Sequence, residues 1–256
     1  MEYKKIIDST KFYFGKQEDY SKYRPSYPKE LFEFLTKTYN LKSKDIVELG
    51  AGTGKFSKSA SSYCNKIYYV EPNLDMITKG KEYCNDCNNI IFVNNSAENT
   101  TLHNDIADIV FAVQSFHWFD KTTVKEEVKR ILKPNGYFAI VWNDWEDEKN
   151  EFSKSYFKYI SEWNTKLTGR KYQHKNVDDR KNFFKEGMYD TYTFIHSKQY
   201  NLEMLIGLSK SLSYAPKEDD IYYDEFIKGI IEIFNKYQID DYVRFDFHTE
   251  MYIGKV

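Results

Sequence analysis

Val47-Glu-Leu-Gly-Ala-Gly-Thr-Gly-Lys-Phe56 sets three glycines, at 50, 52 and 54, directly behind a short apolar run. Asp45 to Leu49 reads as a strand that Gly50 stops, and Ser57 to Tyr63 reads as a helix. Glycine at a strand-to-helix turn lets the backbone take positive φ and approach a ligand closely. A dinucleotide fingerprint, GxGxxG, needs glycine at 55, where this chain has Lys55. A pyrophosphate seeks amide donors and a positive field. Glu48 in the strand is acidic, so the loop fits a cationic ligand better.

Outward from this loop, strand and helix alternate. Lys66 to Val70 is a strand ended by Glu71-Pro72, and Asn73 caps a helix that runs to about Cys84. Ile90–Val93 and Ala107–Val113 are further strands. Lys121 to Leu132 is a helix with Val124, Val128, Ile131 and Leu132 on one face, Lys133 to Gly136 a turn, and Tyr137 to Trp142 a fifth strand. Repeated β-α-β units predict an α/β fold with a mostly parallel sheet and helices on both faces. Residues 145–190 interrupt the pattern. Phe152, Tyr156, Ile160, Trp163 and Leu167 recur there at helical spacing, as in an inserted cap. Tyr189 to Ser197 reads as a strand, with helices near Leu202–Leu212 and Asp224–Tyr237 after it. Tyr242 to Gly254 alternates as a strand that completes the sheet with one antiparallel member.

Ligands in such sheets bind outside the carboxyl ends of the strands. Those ends hold Glu48, Gly50, Ala51, Gly52, Thr53 and Gly54 after the first strand, then Glu71, Pro72 and Met76 after the second. Ser96, Ala97 and Glu98 follow the third, and Gln114, Ser115 and His117 the fourth. S-adenosylmethionine carries a sulfonium, an ammonium and a carboxylate but no phosphate, and it matches this acidic loop. Glu71 is placed to accept both ribose hydroxyls. That role alone does not separate the methyl donor from NAD. Pro72 and Met76 offer apolar surface to ribose or adenine, and Ser96, Ala97 and Glu98 face the adenine edge. His117 is the candidate general base because its ordinary pKa lies near neutrality. Its three aromatic neighbours leave a packing role open.

The chain has 256 residues and a net charge of −2, enough for one large domain without the basic footprint of a nucleic-acid binder. Three cysteines, Cys64, Cys84 and Cys87, give no disulfide framework. Cys84-Asn-Asp-Cys87 is a lone CxxC without further zinc ligands in sequence, so no metal is expected. No apolar run reaches a membrane span, and the opening Met-Glu-Tyr-Lys-Lys predicts no signal peptide. A cytoplasmic protein, monomer or homodimer, is expected.

The succession Val47–Phe56, Val70–Met76, Asn94–Thr100, Ala107–Asp120 and Ile131–Asn143 resembles the class I S-adenosylmethionine-dependent methyltransferases. Tyr23-Arg-Pro-Ser-Tyr-Pro28 with Phe116-His-Trp-Phe119 is similar to the trans-aconitate methyltransferase-like branch of the type 11 group. The resemblance covers 20–143 strongly, 189–256 loosely and 145–188 not at all. It implies that Glu48 and the glycine loop hold the methionine part of the donor. Glu71 takes the ribose, and Ala97 and Glu98 flank adenine. It further implies an N-terminal lid over residues 1–27, in which Tyr20 and Arg24 touch the donor. A donor-binding core would span 28–143, a cap 144–188, and a completing region 189–256, all within one domain. Tyr23, Arg24, His117, Trp118 and Trp142 are the candidate acceptor residues. The expected reaction gives S-adenosylhomocysteine and a methylated small molecule, at oxygen of a carboxylate or hydroxyl. Transfer to RNA or protein, an NAD-dependent oxidoreductase and a non-catalytic nucleotide-binding module are the alternatives.

Overall fold

Apolar residues on successive strand positions point to opposite faces, and here both faces are covered. The computed structural model describes residues 22–145, 150–169 and 177–256. Strands β1 (Asp45–Leu49), β2 (Lys66–Val70), β3 (Ile90–Val93) and β4 (Ala107–Val113) form at the expected runs. They pair in parallel, with Val47 between Tyr68 and Val110. β5 (Leu132–Trp145) adds in parallel to β4, and β7 (Val243–Gly254) runs antiparallel to β5. β6 (Asp190–Tyr200) closes the seven-stranded order β3-β2-β1-β4-β5-β7-β6. The order reverses between β1 and β4, which leaves a crevice at their carboxyl ends.

Helix α1 (Lys29–Tyr39) and α2 (Lys55–Ser61) cover one face, where Leu31, Phe32, Leu35, Phe56 and Ala60 meet Ile46, Ile109 and Phe111. α3 (Leu74–Tyr83) follows β2, and Asn73 caps it by accepting from the Asp75 and Met76 amides. α4 (Lys121–Ile131) covers the other face through Val124, Val128 and Ile131, against Val47, Val110 and Ile140. The expected α/β fold with a mostly parallel sheet is therefore present.

Two local expectations change. α2 begins at Lys55 rather than Ser57, because Gly54, at φ 82°, already turns the chain into the helix. Lys133–Gly136 is a bulge inside β5 rather than a free turn. The β4 ladder steps from Ala107 to Ile109 while β5 advances from Leu132 to Tyr137, and Asn135 takes the left-handed φ of 68° that the detour needs.

Chain contacts divide the described residues into two compact units. The larger holds 25–145, 177–198 and 244–256, including the sheet through Lys198 and α6 (Val177–Phe183). Phe183 and Phe184 are buried in its core. The smaller holds 22–24, 150–169 and 199–243. It contains α5 (Glu151–Thr168), α7 (Leu202–Lys210) and α8 (Tyr223–Tyr237). Phe152, Tyr156, Ile160 and Trp163 of α5 are buried as the spacing predicts, while Leu167 is half-buried. Tyr156 and Ser209 share a hydrogen bond of 2.8 Å, and Trp163 packs on Phe226. The segment expected to form one cap is thus shared between the units. Among the described residues no helix is long and apolar enough to cross a membrane.

Candidate functional site

The glycine loop connects β1 to α2 by three left-handed glycines, with φ of 69° at Gly50, 59° at Gly52 and 82° at Gly54. Gly50 is confined twice over, since a Cβ there would lie 2.8 Å from Cβ of Ser115. Gly52 is different: among the described residues, a Cβ there meets nothing within 4 Å. The loop amides of Gly50 and Ala51 donate to the Val70 carbonyl, at 2.9 and 3.1 Å. β2 therefore holds the loop in place.

Two carboxylates flank this loop. Glu48 is 2 % exposed and accepts the hydroxyl of Ser57 on α2. Burial pushes its carboxyl up to about 8; the Ser57 bonds oppose this and the negative charge of Glu71 adds to it. Glu71 directly follows β2, is also buried, and accepts the Gly52 amide at 2.9 Å and the Asn73 amide at 3.0 Å. Its pKa is raised by burial against those two amides. Tyr69 donates its hydroxyl to the Gly52 carbonyl. Cys84 packs behind the loop, its thiol donating to the Gly54 carbonyl at 3.6 Å, and Cys87 donates to Ser61 at 3.3 Å. This contact gives the CxxC pair a packing role. Thr53, 2 % exposed, has no partner for its hydroxyl among the described residues.

At the end of β4, Gln114 takes φ 55° and donates from its side chain to the Asn143 carbonyl at 2.8 Å. Ser115 donates to the Leu49 carbonyl at 2.7 Å, which ties β4 to the start of the glycine loop. The turn Phe116–Trp118 exposes His117, whose ring lies 4.6 Å from Trp118 and 5.4 Å from the buried Trp142. After β3, Ala97 is buried, Ser96 half-buried, and Glu98 accepts the Asp120 amide at 3.1 Å. After β2, Met76 is buried and Pro72 exposed.

The sequence-expected residues 48–54, 71, 76, 96–98, 114, 115 and 117 thus gather at the carboxyl ends of β1 to β4. The expected lid residues lie in the smaller unit or outside the described residues. Tyr20 lies outside the described residues. Tyr23 and Arg24 belong to the smaller unit, where Tyr23 donates to Glu203 at 2.9 Å and Arg24 to the Ser211 hydroxyl at 2.9 Å. Ser57, Tyr69 and Asn143 were not singled out by the sequence. Ser57 stands nine residues after Glu48 on the first helix turns, and only the fold shows that its hydroxyl turns back to the strand.

The set fits a cationic donor. Two buried acids lie beside a stretch of backbone that no described residue covers at Gly52, and the loop has a buried hydroxyl without a partner among the described residues.

Comparison with known proteins agrees. Residues 47–140 match the model of the family described as "Methyltransferase domain". An uncharacterized methyltransferase-like protein of Schizosaccharomyces pombe is 35 % identical over 133 residues, 50 % of either chain. A probable S-adenosylmethionine-dependent methyltransferase of Saccharomyces cerevisiae is 27 % identical over 147 residues, 55 % of this chain and 50 % of that one. The chain spans about half the length of these curated relatives. A candidate type II methyltransferase of Anaeromyxobacter dehalogenans shares the fold at a TM-score of 0.66, with 17 % identity, 91 % of this chain and 97 % of that one covered. The glycine loop and its two acids lie within the matched stretch, and residues 47–140 are similar to the family described as a methyltransferase domain.

Proposed function

We propose that the chain transfers the methyl group of S-adenosylmethionine to a small-molecule acceptor, at oxygen of a carboxylate or hydroxyl, and releases S-adenosylhomocysteine. The observation that carries this reading is the pair of buried carboxylates, Glu48 and Glu71, around a loop whose Gly52 side is open. A buried acid seeks a cation, and the donor's sulfonium and ammonium supply one.

The bound donor supplies a methyl carbon already activated by its sulfonium. The chain's residues position it. The glycine-loop backbone takes the methionine part, with Glu48 as counter-charge. Glu71, aimed by the Gly52 and Asn73 amides, takes the ribose hydroxyls. His117, seated between Trp118 and Trp142, takes the proton of a hydroxyl acceptor. A carboxylate acceptor needs no base, so His117 then serves only to position it. Acids come first among acceptors because of the resemblance to the trans-aconitate methyltransferase-like branch. The net charge of −2 and the sequence Gln114-Ser-Phe-His117 speak against a nucleic-acid acceptor. The three free cysteines accord with a cytoplasmic setting.

A thermal-shift titration with S-adenosylmethionine, S-adenosylhomocysteine, NAD and NADP tests the donor. A ligand at 100 times its Kd adds about 2.7 kcal/mol of stability. A shift with the first two alone is expected, and methyl transfer to a panel of carboxylic acids and phenols follows. A shift with NAD and none with S-adenosylmethionine would overturn the reading.

A further inference from the structure

β5 and β7 form an antiparallel ladder that extends past the core, pairing Trp142 with Glu250 and Asp144 with His248. Partners across a ladder and residues two apart share one face. Trp142, Asp144, His248, Glu250 and Tyr252 therefore stand on the same side, the side of the core cluster that buries Trp142 and Tyr252. Three of them bear ligand atoms. An oxygen of Asp144, a nitrogen of His248 and an oxygen of Glu250 all lie within 4.8 Å of one another, and all three residues are half-buried. Glu250 is further aimed by Tyr252, whose hydroxyl donates to it at 2.7 Å.

We propose that Asp144, His248 and Glu250 form a binding site for a divalent transition-metal ion, zinc foremost. Asp144, His248 and Glu250 together offer a cation one nitrogen and two carboxylate oxygens. The donor set is mixed nitrogen and oxygen. It suits zinc, manganese, iron or cobalt, whereas calcium asks for six to eight oxygens. Tetrahedral zinc with ligands near 2.1 Å sets them roughly 3.4 Å apart, so modest side-chain rotation from the present separations closes the shell. The carboxylate–hydroxyl bond from Tyr252 is the outer support that metal ligands usually have. Three protein ligands leave a fourth position for water or a small molecule. The site lies at the carboxyl end of β5, where open α/β sheets bind ligands. Nothing in this assignment depends on methyl transfer.

The test is metal binding by the full chain after dialysis against a chelator. Calorimetric titration with zinc chloride should give one site per chain. Asp144→Asn, His248→Gln and Glu250→Gln should each weaken it at least about tenfold, while His103→Gln, a change at an exposed histidine elsewhere, should not. Cobalt loaded in place of zinc should show ligand-field bands without thiolate charge transfer, which separates this site from Cys84 and Cys87. Melting curves of the variants confirm that they fold, and a variant that does not melt cooperatively gives way to the other two. Absence of zinc uptake by the parent chain would overturn the proposal. So would uptake that His248→Gln and Glu250→Gln leave unchanged.

Discussion

Glu71 accepts the Gly52 amide at 2.9 Å, so the residue directly after β2 steers the middle of the glycine loop. The same carboxylate accepts Asn73, the residue that caps α3. One side chain thus fixes the loop, the helix start and the proposed ribose contact. Glu71→Ala should weaken S-adenosylmethionine binding by about 1–3 kcal/mol, the cost of charged hydrogen bonds. Glu71→Gln should recover part of the loss in stability but little of the affinity, since its amide accepts at one atom only. Calorimetry on both variants measures this, and unchanged affinity in Glu71→Ala would refute the placement of the ribose.

Gly50 and Gly52 should fail in different ways when changed to alanine. Both hold positive φ, which costs an L-residue about 1–2 kcal/mol. Gly50→Ala also drives a Cβ into Ser115 at 2.8 Å, so it should lower stability more. Gly52→Ala meets no atom of the described residues within 4 Å, so its stability loss stays near the strain alone. Its added methyl instead occupies the ligand's space, and donor affinity should fall by more than tenfold (about 1.4 kcal/mol). Urea melts beside donor titrations separate the two. Normal donor affinity in Gly52→Ala would place the ligand elsewhere.

The parallel strands, α3 with its Asn73 cap and the glycine loop were legible because each is written in short-range signals. Continuous apolar runs, a capping side chain and glycine spacing lie within a few residues of one another. Ser57 was not legible, because its hydroxyl reaches Glu48 across a turn whose shape depends on Gly54 starting α2 early. The bulge at Lys133–Gly136 read as a turn because Pro-Asn-Gly gives the same local signal in both; only β4 alongside makes it part of a ladder. Asp144 and His248 are 104 positions apart, and their meeting is a matter of strand register alone. Tyr23 and Arg24 carried a motif, but their partners Glu203 and Ser211 lie far along the chain.

Glu127 anchors α4 to the loop before β4. It accepts the amide and hydroxyl of Thr100 at 2.8 and 2.6 Å and pairs with Arg130 at 2.7 Å. Burial alone would raise its pKa, but the Arg130 and Thr100 bonds outweigh it and hold the carboxyl down at about 2. A depressed acid stabilises the fold above its unfolded pKa, and that stability is lost as pH falls from about 4.5 through about 2. Glu127→Gln should cost on the order of 2–3 kcal/mol at pH 7. The difference should narrow by pH 3 and vanish only below about pH 2. Denaturant melts at pH 7 and pH 3 measure it, and a constant difference would show that the ion pair contributes nothing.

Glu48 reverses that sign. Its carboxyl stands at about 8 in the folded chain, against 4.5 ordinarily, so the native state keeps the proton longer than the unfolded state does. The stability this gives is complete below pH 4.5 and is lost as pH rises through about 8, a change on the order of 5 kcal/mol at about 1.4 kcal/mol per unit. Glu48→Gln keeps the shape and cannot ionise. It should therefore gain on the parent steadily between pH 5 and pH 8, as read from urea midpoints. The donor acts on the same group. A sulfonium and an ammonium beside Glu48 favour the carboxylate, so binding at pH 7 should expel a proton. Calorimetry in two buffers of different ionisation enthalpy should show a buffer-dependent binding heat in the parent and a smaller one in Glu48→Gln. Equal heats in both buffers for the parent chain would mean that Glu48 is already ionised or does not face the donor.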